Sequence, residues 1–483
     1  MTDLYRPIAE LAGMLRCGQT SAVTLTEQSI ASIDEQADLA AFVHVDLEGA
    51  RAAAARADAE LAAGVDRGPL HGLPVAVKDN IDVQGQHTRA GSLLLGDEPA
   101  ARDATVVTRL RAAGAVLVGR TNMHELAWGG TTDNPHTGRG RNPWNRDRVP
   151  AGSSGGSGIA VAAGMVVAAL GTDTGGSVRL PASVNGVSGL RPTIGRVSNA
   201  GVVPLAWTMD TVGPLARTAA DTTVVHDAIA GWDQRDRTTR REPVRLAAPG
   251  LQSVDPAAHL RGLRVGVIAD YALVGNQPDV TAAVRDALDA LAAAGAALSE
   301  IHVPGVDELV DAQLVVDAVE PSAMHLDLLR SRPDDYGDDV RTHLEIGLRY
   351  SGVEYVQAQR FRAWFRDGLL EAMRDVDVLV TPTLPFTALP HGAESVELDG
   401  RPASLTAGNM RYTAIGSMAG FPGLSVPIGL DHDGLPIGML ITARAFDESA
   451  VLRAGHGFQA VTSHHLLRPL HPSRISGTCA SSL

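Results

Sequence analysis

The sequence of 483 residues is poor in several things, and each scarcity removes a class of protein. It has two cysteines, Cys17 and Cys479, far apart and without metal-ligand spacing, so neither a disulfide framework nor a zinc site is indicated. The longest apolar run, Ile159 to Leu170, is twelve residues with a glycine inside, too short to span a bilayer. An excess of positive charge is missing as well. With a formal net charge of -14 and arginines scattered among acids, the chain is unsuited to nucleic acid or to an anionic membrane. Met1 to Met14 carries Asp3, Arg6 and Glu10 where a signal peptide would be apolar, so a cytoplasmic protein is expected. No internal repeats are found.

The scarcest residue is the most informative. Of 41 Lys and Arg residues, only Lys78 is a lysine. Arginine keeps its proton in proteins, whereas a buried lysine loses it readily and can act as a base. By itself a single lysine can be an accident of an arginine-rich composition. Its position decides.

What is present is the make-up of a folded protein, 45% hydrophobic and 20% charged, with length for a large core. Thr26–Glu35 and Asp46–Ala63 have helical spacing or alanine-rich helix composition. Leu73–Val77 reads as a strand, Thr105–Ala113 as a helix stopped by Gly114, and Ala115–Val118 as the next strand. The fold class is therefore α/β. Residues 134–158 have loop chemistry, leading into a helix at Gly158–Ala163 and a strand at Val166–Leu170. The glycine cluster Gly171–Ser177 reads as a functional turn. A charged, proline-bearing stretch from Trp232 to Leu260 resembles an exposed connection. Beyond it, strand, helix and strand are expected at Leu263–Ile268, Val280–Ala293 and Ala297–Val303. Helices fill Asp307–Asp375; strands at Val376–Val380 and Leu435–Thr442 and a helix at Ser449–Val461 close the chain.

Chemistry concentrates in Gly152-Ser153-Ser154-Gly155-Gly156-Ser157-Gly158 and Gly171-Thr172-Asp173-Thr174-Gly175-Gly176-Ser177. Glycines let successive N–H groups converge on one oxygen, as an oxyanion hole requires. Competing readings are weaker. Gly152–Gly156 matches G-x-S-x-G, which would make Ser154 the nucleophile, but Arg146–Pro150 is no strand to carry such an elbow. A phosphate loop needs a lysine that neither cluster has, and after His124-Glu125 the second histidine of a zinc-protease motif falls at Trp128. A glycine-serine linker would not alternate with a buried strand.

With His71-Gly72-Leu73-Pro74-Val75-Ala76-Val77-Lys78-Asp79-Asn80, the two glycine-serine clusters and Gly189-Leu190-Arg191-Pro192-Thr193, the sequence resembles the amidase signature family. The resemblance is dense from about Leu70 to Pro214, thinner at Val378–Pro385, Gly420–Pro427 and Leu435–Leu440. It implies a mixed β-sheet core covered by helices on both faces. It also implies one domain over residues 1–475: a helical lead-in (1–69), the signature core (70–232), a helical insertion forming part of the pocket wall (233–375) and the C-terminal part of the core (376–470). Residues 471–483 would be a tail. The catalytic set it implies is Ser177 as nucleophile, Ser153, after a cis peptide bond, as proton relay, and Lys78 as base. The sole lysine thus falls on the family's base. Backbone N–H groups of Thr174, Gly175, Gly176 and Ser177 would form the oxyanion hole, and Ala127, Trp128, Gly129, Gly130 and Thr131 would lie at the pocket mouth. Asp173, Arg179, Asp79 and Asn80 read as braces.

The implied activity is hydrolysis of a small-molecule amide through an acyl-enzyme, with no metal or organic cofactor, no nucleic acid and no membrane; homodimerisation is left open. The alternative is the glutamine-hydrolysing A subunit of a tRNA-dependent amidotransferase. Such subunits are expected to carry an acidic residue shortly before the segment matching Ala414–Gly423, where Asn409-Met410-Arg411-Tyr412 offers none. Whether Arg411 or other pocket residues hold a substrate carboxylate is left open by the sequence. A third reading is a catalytically dead binding protein, which the complete triad opposes.

Overall fold

The computed structural model describes residues 3–244, 246–248 and 255–469; Cys479 and the expected tail at 471–483 lie outside them. Three helices open the chain, α1 (Ile8–Arg16), α2 (Ala22–Glu35) and α3 (Leu47–Ala62), with an edge strand β1 (Phe42–Val45) before the third. Ser21 and Asp46 start the second and third by accepting from Thr24 N and Gly49 N, satisfying amides that a helix start leaves open. The next stretch runs β2 (Pro74–Lys78), α4 (Thr105–Ala112), β3 (Val116–Thr121), the short β4 (Asp133–Asn134) and β5 (Gly138–Arg139), α5 (Gly155–Ala162), β6 (Ala168–Asp173), α6 (Arg179–Asn185), β7 (Ser188–Arg191), β8 (Thr211–Ala216) and α7 (Ala219–Ile229). Then come β9 (Arg264–Val267), α8 (Ala269–Ala272), α9 (Pro278–Ala293), β10 (Ala297–Glu300) and the helices α10 (Leu309–Ser331), α11 (Asp338–Gly347) and α12 (Gly352–Ala372). The close is β11 (Val378–Pro382), the hairpin β12 (Ser395–Leu398) and β13 (Arg401–Ser404), α13 (Leu405–Met410), α14 (Thr413–Ala419), β14 (Gly423–Leu430), β15 (Pro436–Thr442) and α15 (Glu448–Val461).

Eleven strands make one mixed sheet in the order β1-β3-β2-β6-β8-β7-β14-β15-β11-β9-β10. The pairs β2/β3, β2/β6, β9/β11 and β9/β10 are parallel and the others antiparallel. Side chains alternate across a strand, so a sheet covered on both faces must bury every residue. Strands β2, β6, β7, β8, β11 and β15 do so. On β11 and β15, Val378, Val380, Met439 and Ile441 pack with α9 and α15, while Leu379 and Leu440 pack with α10, α12 and α14. The expected α/β architecture is therefore what the chain adopts.

Several local expectations need correction. The lead-in holds the strand β1, which is not expected, while β9 and β10 fall where strands are expected and join the main sheet, so the 233–375 segment also contributes to the core. Strand β6 runs on through Gly171 to Asp173, and the turn begins only at Thr174. Helix α5 starts at Gly155, earlier than the expected Gly158, and it carries a glycine at 156 because a side chain there would meet Asn122 O at 2.4 Å. Part of the supposed exposed connection is buried: Asp233 accepts from Thr105 Oγ1 (2.5 Å) and Ser198 Oγ (2.6 Å), and Asp236 from Asn199 N (2.7 Å). Carboxylates there tie loops together rather than facing water.

Candidate active site

The last residue of β2 is Lys78, and it is fully buried because β3 and β6 flank its strand. Its Nζ donates to Ser153 Oγ (2.7 Å) and Thr172 Oγ1 (2.8 Å), and Asn80 Nδ2 donates to the same threonine (3.1 Å). Both partners of the amine are hydroxyls. Among the described residues no carboxylate lies within hydrogen-bonding distance to neutralise it, so burial dominates and lowers its pKa to about 7; the more distant Asp173 and Asp210 oppose the shift. A lysine so placed exchanges its proton near neutrality.

Ser153 lies just ahead of α5 and is fully buried; the Gly152–Ser153 peptide is cis, as the resemblance implies. Ser154 is fully buried too, but its hydroxyl donates to Thr172 O (3.1 Å), which spends it on holding α5 to β6. The elbow reading, with Ser154 as nucleophile, loses its reactive group. Ser177, after the second glycine cluster and before α6, is half-buried and opens on a cavity, while its carbonyl accepts from Ser154 N (3.2 Å).

The turn that carries Ser177 is braced by Asp173. This buried carboxylate accepts from Arg179 Nε (3.0 Å) and Nη2 (2.8 Å), Arg191 Nη1 (2.9 Å), Gly176 N (3.1 Å) and Val178 N (3.1 Å). Burial alone would raise its pKa; the two guanidiniums and the amides outweigh that and hold it well below the usual carboxylate range. The bond from Gly176 N corrects the expected oxyanion hole, since that amide is already committed. Among the described residues the amides of Thr174, Gly175 and Ser177 have no hydrogen-bond partner. Gly176 has φ +136°, a conformation other residues rarely adopt, and a side chain there would strike Thr413 Oγ1 at 2.8 Å.

Ser177, Gly152 and Gly175 open on a cavity of about 250 Å³. All five expected mouth residues, Ala127, Trp128, Gly129, Gly130 and Thr131, line it, together with apolar groups such as Leu180, Leu384 and Phe386. Part of its wall comes from α10 and α11 through Asp317, Asp339 and His343. His124 Nε2 bonds Asp339 (2.8 Å), and the His343 ring packs on Trp128 at 4.8 Å, so α11 is tied to the mouth. Among the described residues lining this cavity there is no lysine or arginine. Arg411 is elsewhere: it donates to Tyr271 O and Val274 O (both 3.3 Å) and lies over the Tyr271 ring.

Sequence reasoning missed Thr172 as the second partner of Lys78, Arg191 as a brace, and Asp317 and Gln313 on α10. Thr172 and Arg191 stood inside the quoted motifs, but nothing in a motif says which hydroxyl meets the amine. The α10 residues lie more than a hundred positions from the glycine clusters, so no local pattern joins them. No group of three or more His, Cys, Asp or Glu among the described residues could hold a metal ion, and no helix is long and apolar enough to cross a membrane.

Comparison with known proteins bears on the sequence and the fold. A family model described as Amidase matches residues 24–452. The A subunit of the glutamyl-tRNA(Gln) amidotransferase from Roseiflexus castenholzii (strain DSM 13941 / HLO8) is 40% identical, covering 97% of this chain and 98% of its own. A solved chain described under a vestigial protein complex and the evolutionary origins of an s-triazine catabolic enzyme superposes with TM-score 0.89 at 37% identity, covering 94% of this chain and 98% of that one. A crystal structure described as an amidase gives TM-score 0.85 at 34% identity, covering 94% and 99%. On its sequence, its fold and the match over most of its length, the chain belongs to the Amidase family, with the amidase signature.

Proposed function

We propose that this protein hydrolyses a carbon-nitrogen amide bond with Ser177 as nucleophile, Ser153 as relay and Lys78 as base. The observation that carries the reading is the 2.7 Å contact of Lys78 Nζ with Ser153 Oγ in a buried site that brings the amine to about 7. Neutral Lys78 takes the proton of Ser153 as Ser153 takes that of Ser177, and Ser177 Oγ attacks the carbonyl carbon. The free amides of Thr174, Gly175 and Ser177 stabilise the developing oxyanion. Ser153 returns the proton to the leaving nitrogen, the C–N bond breaks, and water, activated by the same relay, hydrolyses the acyl-enzyme. Residues 1–475 act as one domain in this reading, in a cytoplasmic setting, with the 233–375 segment as one wall of the pocket.

Two substrate classes remain in play, and different facts support each. The names of the curated relatives support the glutamine-hydrolysing A subunit more than a small-molecule amidase, and with it a role as one component of a larger enzyme. The cavity supports a small-molecule amide: glutamine brings an α-carboxylate, and no lysine or arginine lines the cavity among the described residues to receive it. Fluorophosphonate labelling followed by peptide mapping tests the chemistry, with the adduct expected on Ser177. A hydrolysis screen of an amide library that includes glutamine tests the substrate. An adduct on Ser154, or no adduct at all, would overturn the catalytic assignment; efficient glutamine turnover would favour the amidotransferase reading.

A further inference from the structure

Four buried carboxylates stand on the nucleophile turn or on segments near it, and three of them are fully spent. Asp173 holds two arginines and the amides of Gly176, Val178 and Arg179. Asp210 accepts from Thr174 Oγ1 (2.5 Å), Leu205 N (2.8 Å) and Ala206 N (3.2 Å). Glu320 accepts from Thr208 Oγ1 (2.6 Å), Thr208 N (3.1 Å) and Tyr355 OH (2.9 Å). Asp317 differs. Its Oδ2 accepts from Gln313 Nε2 (3.0 Å), while its Oδ1 is the one buried carboxylate oxygen among the described residues without a hydrogen-bond partner.

Gln313 and Asp317 are one turn apart on α10 and so share a face of the helix. That face meets the nucleophile turn: a Cβ on Gly175 would come within 2.6 Å of Gln313 Nε2 and 3.4 Å of Asp317 Oδ2. Asp317 lines the same cavity as Ser177. The Gln313 amide nitrogen is directed at Asp317 and at Met410 Sδ (3.4 Å), which leaves Gln313 Oε1 buried and unpartnered as well. Two acceptors, one formally anionic, therefore stand unsatisfied beside the turn that would hold the reacting carbonyl. Buried acceptors left unmet are costly, and a carboxylate without a cation more so.

We propose that Asp317, positioned by Gln313, is a specificity residue that binds a primary ammonium carried on the acyl part of the substrate. The inference rests on the acyl-enzyme reading above and narrows its substrate to amino-acyl amides. Burial, together with the nearby Asp210 and Glu320, pushes the Asp317 carboxyl up to about 7 against the opposing pull of Gln313 and Arg191; a bound cation supplies the missing countercharge. An ammonium also has N–H bonds enough for both Asp317 Oδ1 and Gln313 Oε1. The apolar lining groups Leu180, Leu384 and Phe386 suit the methylene chain between ammonium and carbonyl.

The test uses the full chain and three matched pairs of amides in which a methyl replaces the amine: glycinamide with propanamide, β-alaninamide with butanamide, and γ-aminobutyramide with pentanamide. In at least one pair the amine is expected to have the higher kcat/KM by on the order of tenfold to a hundredfold, the range of a charge-assisted hydrogen bond. Asp317→Asn should bring that ratio to near one. Ratios near one for all three pairs in the wild-type enzyme, or a preference unchanged in Asp317→Asn, overturn the inference, and the wild-type measurement stands without any variant. Fluorophosphonate labelling of Ser177 in the same preparation separates the two levels. A labelled enzyme with flat ratios removes only the ammonium site, whereas an unlabelled enzyme removes the acyl-enzyme reading and the site together.

Discussion

Asp173 on the floor of the site and Asp317 on its wall are both buried, yet they are displaced in opposite directions. The floor aspartate is enclosed by two guanidiniums and the amides of the turn it braces, so its charge is part of the fold. The wall aspartate has one amide for company and one buried oxygen without a hydrogen-bond partner. Burial is the same for both; the partners differ. A satisfied buried charge fixes geometry, whereas an unsatisfied one is held in readiness for a ligand. Changes on the floor should therefore abolish chemistry or stability, and changes on the wall should alter selectivity while relieving the fold.

The largest effect belongs to the floor. Lys78→Arg keeps the positive charge but cannot release it, so kcat should fall by at least about a thousandfold, by analogy with removing one member of a serine triad. Melting and circular dichroism should show a folded protein; an active Lys78→Arg enzyme would falsify the base assignment. Asp173→Asn comes next. Removing the partner of buried Arg179 and Arg191 should cost about 3–5 kcal/mol in denaturant unfolding, and activity should go with it. Because the folded pKa of Asp173 is depressed, its contribution is present above the unfolded value of 3.8 and is lost only as pH falls through the lower folded value. Little loss of stability at neutral pH would erase the contrast between the two aspartates.

Third in size is the pH dependence of the reaction. In the proposed mechanism the base is neutral Lys78, so kcat/KM should rise about tenfold per pH unit below an ionisation near 7 and level off above it. A profile flat across that region, or one rising only near the ordinary lysine value, would disconnect the amine from catalysis. Smaller, and opposite in sign to the floor, is the stability of Asp317→Asn. Its carboxyl is raised from 3.8 to about 7, so the cost of ionising it in the fold is absent below 3.8, grows through that window and is fully present above it. Replacement by the isosteric amide should stabilise the protein at about pH 8 by on the order of 1 kcal/mol or more. Destabilisation there would mean that the wall aspartate is as structural as the floor one. The smallest effect expected is none: hydrolysis should survive strong chelators, and activity abolished by a chelator and restored by zinc would count against the serine-lysine mechanism.

The floor was legible in the sequence and the wall was not. Glycine spacing, the sole lysine and the serine clusters are local signals, read where they stand. Even there the order of contacts came from the fold: Ser154 is spent on Thr172, Gly176 N on Asp173, and Lys78 meets Thr172 as well as Ser153. Strand β8 escaped notice because Gly213-Pro214 carries the signature of a turn, yet it lies between β6 and β7 with every residue buried. Arg411 shows the converse. A cation near the right motif looked available for a substrate carboxylate, and the structure turns it onto the carbonyls of Tyr271 and Val274.

By itself, then, the sequence determined the α/β class and the strand-and-helix run around the signature, and its motifs supplied the reacting groups proposed above, because those depend on residue type and on short patterns along the chain. The tertiary structure alone decided which amides stay free, how far the lysine falls from its ordinary pKa and which carboxylate faces the cavity. Those properties are set by what surrounds a group in space. For Asp317 the surroundings arrive from Gly175, Gln313 and Met410, and desolvation and unmet hydrogen bonds exist only once α10 has packed against the turn.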